Sequence, residues 1–202
     1  MSTILCIDTA SDRFAVALDR DGHVSGIEAE AAQDHSRLLL PAIASLLGDG
    51  GPIDGIVVVT GPGAYAGIRV GIATAEGLAL AHGCGVFGVG TLEAVALTPS
   101  GRKASRAIHP AGRGEFAVQT LEDGVAAGEP AIATPGNLDS RCIGEGASAF
   151  GGQEIRPLER ADAALRALAP RIRAGTAQAG ADAFYLREPN ITISRRREAA
   201  AS

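Results

Sequence analysis

Residues 56–83 constrain the fold more than any other stretch of the chain. Ile56 to Val59 is a continuous β-branched run, the pattern of a strand buried on both faces of a parallel sheet. It empties into the glycine-rich segment TGPGAYAGIRVG, from Thr60 to Gly71, and a long helix follows that ends near Gly83. Read at about 100° per residue, one face of this helix carries Ile68, Gly71, Ile72, Ala75, Leu78 and Ala79. The opposite face carries Val70, Ala73, Gly77, Leu80 and Ala81, and the charges Arg69 and Glu76 share one narrow strip between the two. A helix that is apolar nearly all round must be covered on two sides, and a sheet covers only one.

The helix expected from Asp34 to Leu47 poses the same problem. Leu38, Leu39, Leu40, Ala42, Ile43, Ala44, Leu46 and Leu47 sweep an arc wider than one packed face,. In a chain of 202 residues the expected cover for the second side is another protein. The bulkier face is assigned to that partner, with Leu39 and Ile43 on the first helix and Ile72, Ala75, Leu78 and Ala79 on the second.

Around these helices the pattern is α/β. Strands are expected at Ile4 to Ile7, Phe14 to Leu18 and Val24 to Ile27, the second and third joined by Asp21-Gly22, a pair suited to a tight hairpin turn,. A strand at Val86 to Val89 and a helix from Thr91 to Leu97 follow the long helix. A hairpin meander followed by strand-helix units makes a mixed sheet with packed helices. Pro41, which lacks a backbone donor, is expected to bend the first helix or delay its start,.

Thr98 to Lys103 reads as a linker, dividing residues 1–98, a first lobe with the pairing helices, from residues 99–202, a smaller lobe with a basic tail,. In that second part strands are expected at Arg106 to His109, Glu115 to Leu121 and Arg141 to Ile143, and a helix from about Ala161 to Ile172,.

Composition narrows the function. The net charge of -5 argues against a broad phosphate-neutralising face, and 3% aromatics with no Trp argues against base stacking,. Any RNA contact is expected to be local or shared with a partner, and Arg195, Arg196 and Arg197 read as a solvated tail,. Cys6, Cys84 and Cys142 are odd in number and form no C-x-x-C pair, which suggests neither a disulfide framework nor a zinc site,. With no signal-like N-terminus and no apolar run of spanning length, a soluble protein of the cytoplasm is expected, away from any membrane,.

The chemistry-bearing candidates are sparse. Gly61, Gly63 and Gly67 stand where phosphate loops stand, after a buried strand and before a helix N-terminus,. A Walker loop, however, needs a following Lys and a Ser or Thr, and the chain's one lysine is Lys103 in the linker,. Asp8 closes the first strand as a metal-binding or phosphate-binding carboxylate would, with no second carboxylate at a motif-like spacing,. Together Asp8, Gly61, Gly63 and Gly67 read as a vestigial phosphate loop. His23, His35, His82 and His109 form no metal-ligand pattern, and each is expected at the surface or at a cap,. No catalytic residue, metal or cofactor is assigned.

ILCIDTA at Ile4, DHSRLLLP at Asp34, GPGAYAGIRVGIATAEGLA at Gly61 and YLREP at Tyr185 together resemble the TsaB (YeaZ) family, over most of the chain. The resemblance implies an actin-like or ribonuclease-H-like fold in two lobes, without a working nucleotide site or metal-binding histidines. It implies a non-catalytic subunit that pairs through its first two helices with the catalytic subunit TsaD, which transfers threonylcarbamoyl to the adenosine beside the anticodon. It further implies a TsaE-like ATPase that joins the pair and tRNA met only through the complex, and it leaves a homodimer of the isolated chain open. The chain departs from the family pattern at Ala64, Tyr65 and Ala66, where Ser, Phe and Thr are usual. It departs again at HPAGRGE from His109, in place of DAR before the Gly-Glu, with Arg113 and Glu115 retained. The alternative function is an ATP-dependent phosphotransferase or ATPase of the same superfold, supported by Asp8 and the Gly61 loop.

Overall fold

β1 (Thr3–Asp8) is buried at all of its positions because it is the centre of a sheet covered on both faces,. In the computed structural model, which describes residues 2–32, 34–49 and 51–186, it pairs antiparallel with β2 (Arg13–Arg20) and parallel with β4 (Gly55–Val59). β3 (His23–Glu30) closes the hairpin with β2, and β5 (Gly85–Val89) runs parallel to β4. The order is β3-β2-β1-β4-β5. Asp21 and Gly22 both take positive φ, 51° and 93°, as a tight hairpin turn demands,.

α1 (His35–Leu47) and α2 (Tyr65–His82) cover one face of this sheet, where Leu39, Ile43 and Ala75 meet Leu5, Ile7, Leu18 and Val58. Pro41 neither delays α1 nor ends it. The proline sits on the exposed side, so the carbonyl it leaves without a helical partner faces water,.

The second sheet has the order β10-β9-β6-β7-β8, built from β6 (Arg106–Pro110), β7 (Phe116–Glu122), β8 (Val125–Ala133), β9 (Cys142–Gly144) and β10 (Gln153–Glu154). β8 is invisible to pattern reading because Gly128, Glu129 and Pro130 interrupt it. A proline is tolerated there because β8 is an edge strand,. α3 (Thr91–Ala96) packs between the sheets' ends against β6.

α4 (Pro157–Arg173) starts four residues before the apolar spacing reveals it, with Pro157 in the first turn, where its missing N–H costs nothing,. It crosses back to cover the other face of the first sheet, with Ala161, Ala164 and Leu165 against Ile4, Cys6, Ala17 and Val57. The first sheet is therefore completed by a helix from the far end of the chain. The segment after α4 adds to the same sheet: Gly180 bridges Phe87 in parallel, and the Phe184 N–H donates to the Thr60 carbonyl at 2.8 Å. Tyr185 and Leu186 are the described part of YLREP, and Arg195, Arg196 and Arg197 lie outside the described residues. No helix among the described residues is long and apolar enough to cross a membrane.

Candidate functional site

The glycine loop packs closely against the end of β1. α2 begins directly above the end of β1, and a Cβ on Gly63 would overlap the Ala10 carbonyl oxygen, while one on Gly67 would overlap that of Thr9. On Gly71 it would meet the Thr9 hydroxyl, which donates to the Gly67 carbonyl at 2.8 Å. Gly61, at φ 111°, is closed off by the Phe184 carbonyl of the C-terminal segment. These glycines let a helix approach a strand end, while Pro62, Gly63 and Ala64 also line an open cleft.

Asp8, by contrast, is fully buried. The fully buried Arg160 of α4 reaches down to it, donating from Nε to Oδ2 at 2.8 Å and from Nη2 to Oδ1 at 3.3 Å. The same guanidinium donates through Nη1 to Glu145 at 2.9 Å, so one cation bridges two carboxylates from the two sheets. Burial works against the charge on Arg160, and Asp8 with Glu145 overcomes it, holding the side chain above its ordinary pKa,. A divalent cation or a phosphate does not fit Asp8 as it stands, because its oxygens are already taken by a fixed guanidinium fork. Among the described residues no three of His, Cys, Asp and Glu gather into a group that could hold a metal.

Two histidines expected at the surface or at a cap are in fact buried, His109 beside this cluster and His35 against Phe14. His35 Nε2 lies 2.9 Å from the Ser11 carbonyl and His109 Nε2 lies 3.0 Å from that of Ala10. An imidazole there donates from Nε2, which leaves the His109 Nδ1 as a bare lone pair, unpartnered and 3.8 Å from Glu145,. Burial, and then the Arg160 guanidinium, push His109 down to about 3, so it is neutral. Helix capping and buried clamping use the same residue type, and nothing local to residues 35 or 109 distinguishes them. Above this floor opens a cleft of about 570 Å³, lined by Asp12, Ala64, Arg113, Glu145 and Tyr185 among others.

The helix faces fall the other way round from the sequence expectation. Leu39, Ile43, Ala75 and Ala79 are buried in the chain's own core, and Ile72 and Leu78 are half-buried against it. The bulky face supplies the volume that fills the space above β1 and β4, and the small-residue face is turned outward. Ala66, Ala73, Gly77, Leu80 and Ala81 are exposed on α2, with Leu80 at 87%, and Leu40, Pro41 and Ala44 are exposed on α1. The run Ala73, Gly77, Ala81 at steps of four is the signal that could have marked the outer face, since small residues permit close helix approach.

A family model for TsaD, tRNA N6-adenosine threonylcarbamoyltransferase, matches residues 26–133, more than half of the chain. TsaB of Escherichia coli strain K12 is 36% identical over 97 residues, covering 46% of this chain and 42% of that protein. A Pseudomonas aeruginosa crystal structure, of a protein with similarity to peptidase YEAZ, superposes with a TM-score of 0.73 at 26% identity, over 93% of this chain and 100% of that one. The chain belongs to the TsaD family, on its TsaB (YeaZ) side. The ribonuclease-H-like fold extends beyond it: RuvC of T. thermophilus, in complex with a Holliday junction, matches with a TM-score of 0.50 at 11% identity, over 89% of this chain and 100% of that one. The chain spans less than half the length of the curated relatives it matches. Against the TsaB pattern, the glycines serve close packing of α2 on the end of β1, and Asp8 is held by Arg160.

Proposed function

We propose that this chain is a non-catalytic subunit of a tRNA threonylcarbamoyladenosine-forming complex, pairing with a TsaD-like catalytic subunit through the outer faces of α1 and α2. The observation that carries the pairing is the uncovered apolar strip of α2, where Leu80 stands 87% exposed among Ala73, Gly77 and Ala81. A monomer gains nothing from a leucine in that position, whereas burial against a partner helix is worth about 2 kcal/mol for such a side chain.

The partner supplies the transfer of threonylcarbamoyl to the adenosine next to the anticodon, and a TsaE-like ATPase joins the pair. The net charge of -5 supports tRNA contact through the complex and not through this chain alone,. The same outer strip serves self-pairing when the chain is isolated, and the reading places the protein in the cytoplasm with its tRNA. Arg160 on Asp8 weighs against the phosphotransferase alternative, because the carboxylate that would hold a metal is engaged by a buried cation.

Co-expression with a TsaD-like subunit tests the pairing. The wild-type chain is expected to co-purify with it, and Leu80→Asp, folded by circular dichroism, is expected not to. ATP turnover by the purified chain that disappears on Asp8→Ala would overturn the non-catalytic part.

A further inference from the structure

A groove of about 340 Å³ runs between α2 and the C-terminal segment, and Ala73 and Glu76 belong both to it and to the exposed side of α2. Its other walls include Arg69, Ile72, Asp182 and Tyr185. Glu76 and Asp182 are exposed there, and neither carboxylate makes a hydrogen bond or ion pair among the described residues. Arg69, the groove's one cation among those residues, is already engaged: it donates to the Tyr65 hydroxyl at 2.6 Å and its guanidinium carbon lies 5.4 Å from the centre of that ring. Arg69 and Glu76 stand seven positions apart, about 10 Å along the helix axis, and no ion pair joins them,.

We propose that this groove receives a basic side chain, Arg or Lys, carried by the pairing helix of the partner. The inference rests on the pairing reading above and adds the group that sets its register. An apolar strip of small residues lets two helices slide and rotate against one another with little change in energy, and a charge contact beside it fixes one arrangement. The aliphatic stem of an Arg or Lys suits Ile72 and Ala73, and its charge is drawn to the two free carboxylates at the rim,. A phosphate-bearing ligand meets like charge at those carboxylates,.

The test measures affinity between the full chain and a TsaD-like subunit at low and at high salt. Reversing both charges, Glu76→Lys with Asp182→Lys, is expected to weaken pairing about 100-fold at low salt. The neutral pair Glu76→Gln with Asp182→Asn is expected to weaken it about 10-fold and to flatten the salt dependence. An acidic replacement of the partner's basic residue should restore binding to the charge-reversed chain. Melting temperatures of the free variants should match the wild type, since both positions are exposed. If the charge-reversed chain pairs as the wild type does while Leu80→Asp does not, the groove is overturned and the pairing reading stands. If the wild-type chain does not bind, or Leu80→Asp binds unimpaired, the pairing reading falls and the groove with it.

Discussion

The floor of the cleft and the outer face of α2 are opposites. The floor holds Asp8, Arg160, Glu145 and His109, the residue types from which chemistry is made, and they bind one another and the carbonyl of Ala10. The outer face holds alanines, a glycine and Leu80, from which no chemistry is made, and nothing among the described residues covers it. In this molecule the reactive side chains act as internal braces and the inert ones are left for the outside. That distribution favours assembly over catalysis, because a reacting group has to be free and an assembling surface has to be apolar and open.

The strongest way to break the contrast is to remove the brace. Arg160→Ala leaves Asp8 buried and unpaired, and a loss of about 3 to 5 kcal/mol in urea-unfolding stability is expected. A loss below about 1 kcal/mol would mean that the cluster is not a brace at all. On α2, Ile72→Asp places a charge against both core clusters of the first sheet. A cost of about 3 kcal/mol, seen as a lowered urea midpoint or as insoluble protein, is expected.

His109 sharpens the comparison through pH. Its folded-state value is lowered from 6.5 to about 3, so the unfolded chain binds the extra proton and the stability present above pH 6.5 is lost as pH falls towards 3. The slope is about 1.4 kcal/mol per pH unit inside that window, or about 2 kcal/mol by about pH 5. Stability curves of the wild type and of His109→Gln should differ in slope by that amount, and parallel curves would show that the imidazole is not held neutral. The smallest expected effect is on the outer face: Leu80→Asp should change the free chain's stability by no more than about 0.5 kcal/mol. A clearly lowered melting temperature would show that this face is part of the chain's own core.

Much of the first lobe is legible from periodicity alone. The meander, the buried β4 and the two-sided α2 follow from β-branched runs, an Asp-Gly turn and helical spacing, all signals local to a few residues. β8 and the start of α4 escape for a local reason too, since Pro130 and the polar pair Glu159 and Arg160 interrupt the patterns that would announce them. The segment from Gly180 to Phe184 has no pattern, and it joins the first sheet only because the edge of β5 is there to receive it.

By itself, then, the sequence determined the two-sided apolar character of α2, the mixed sheet beneath it and a glycine loop without the lysine and hydroxyl that phosphate binding needs. Which face of α2 meets the sheet was beyond it, because both faces are apolar and the choice rests on volume. Only the packed structure shows that Ile72, Ala75 and Leu78 fill the space over β1 and β4 while Ala73, Gly77 and Leu80 are left outside. The state of Asp8 was likewise decided by tertiary structure. Its partner is 152 positions away, and a contact made by bringing a helix from the end of the chain back over the first strand leaves no spacing for a sequence reading to detect.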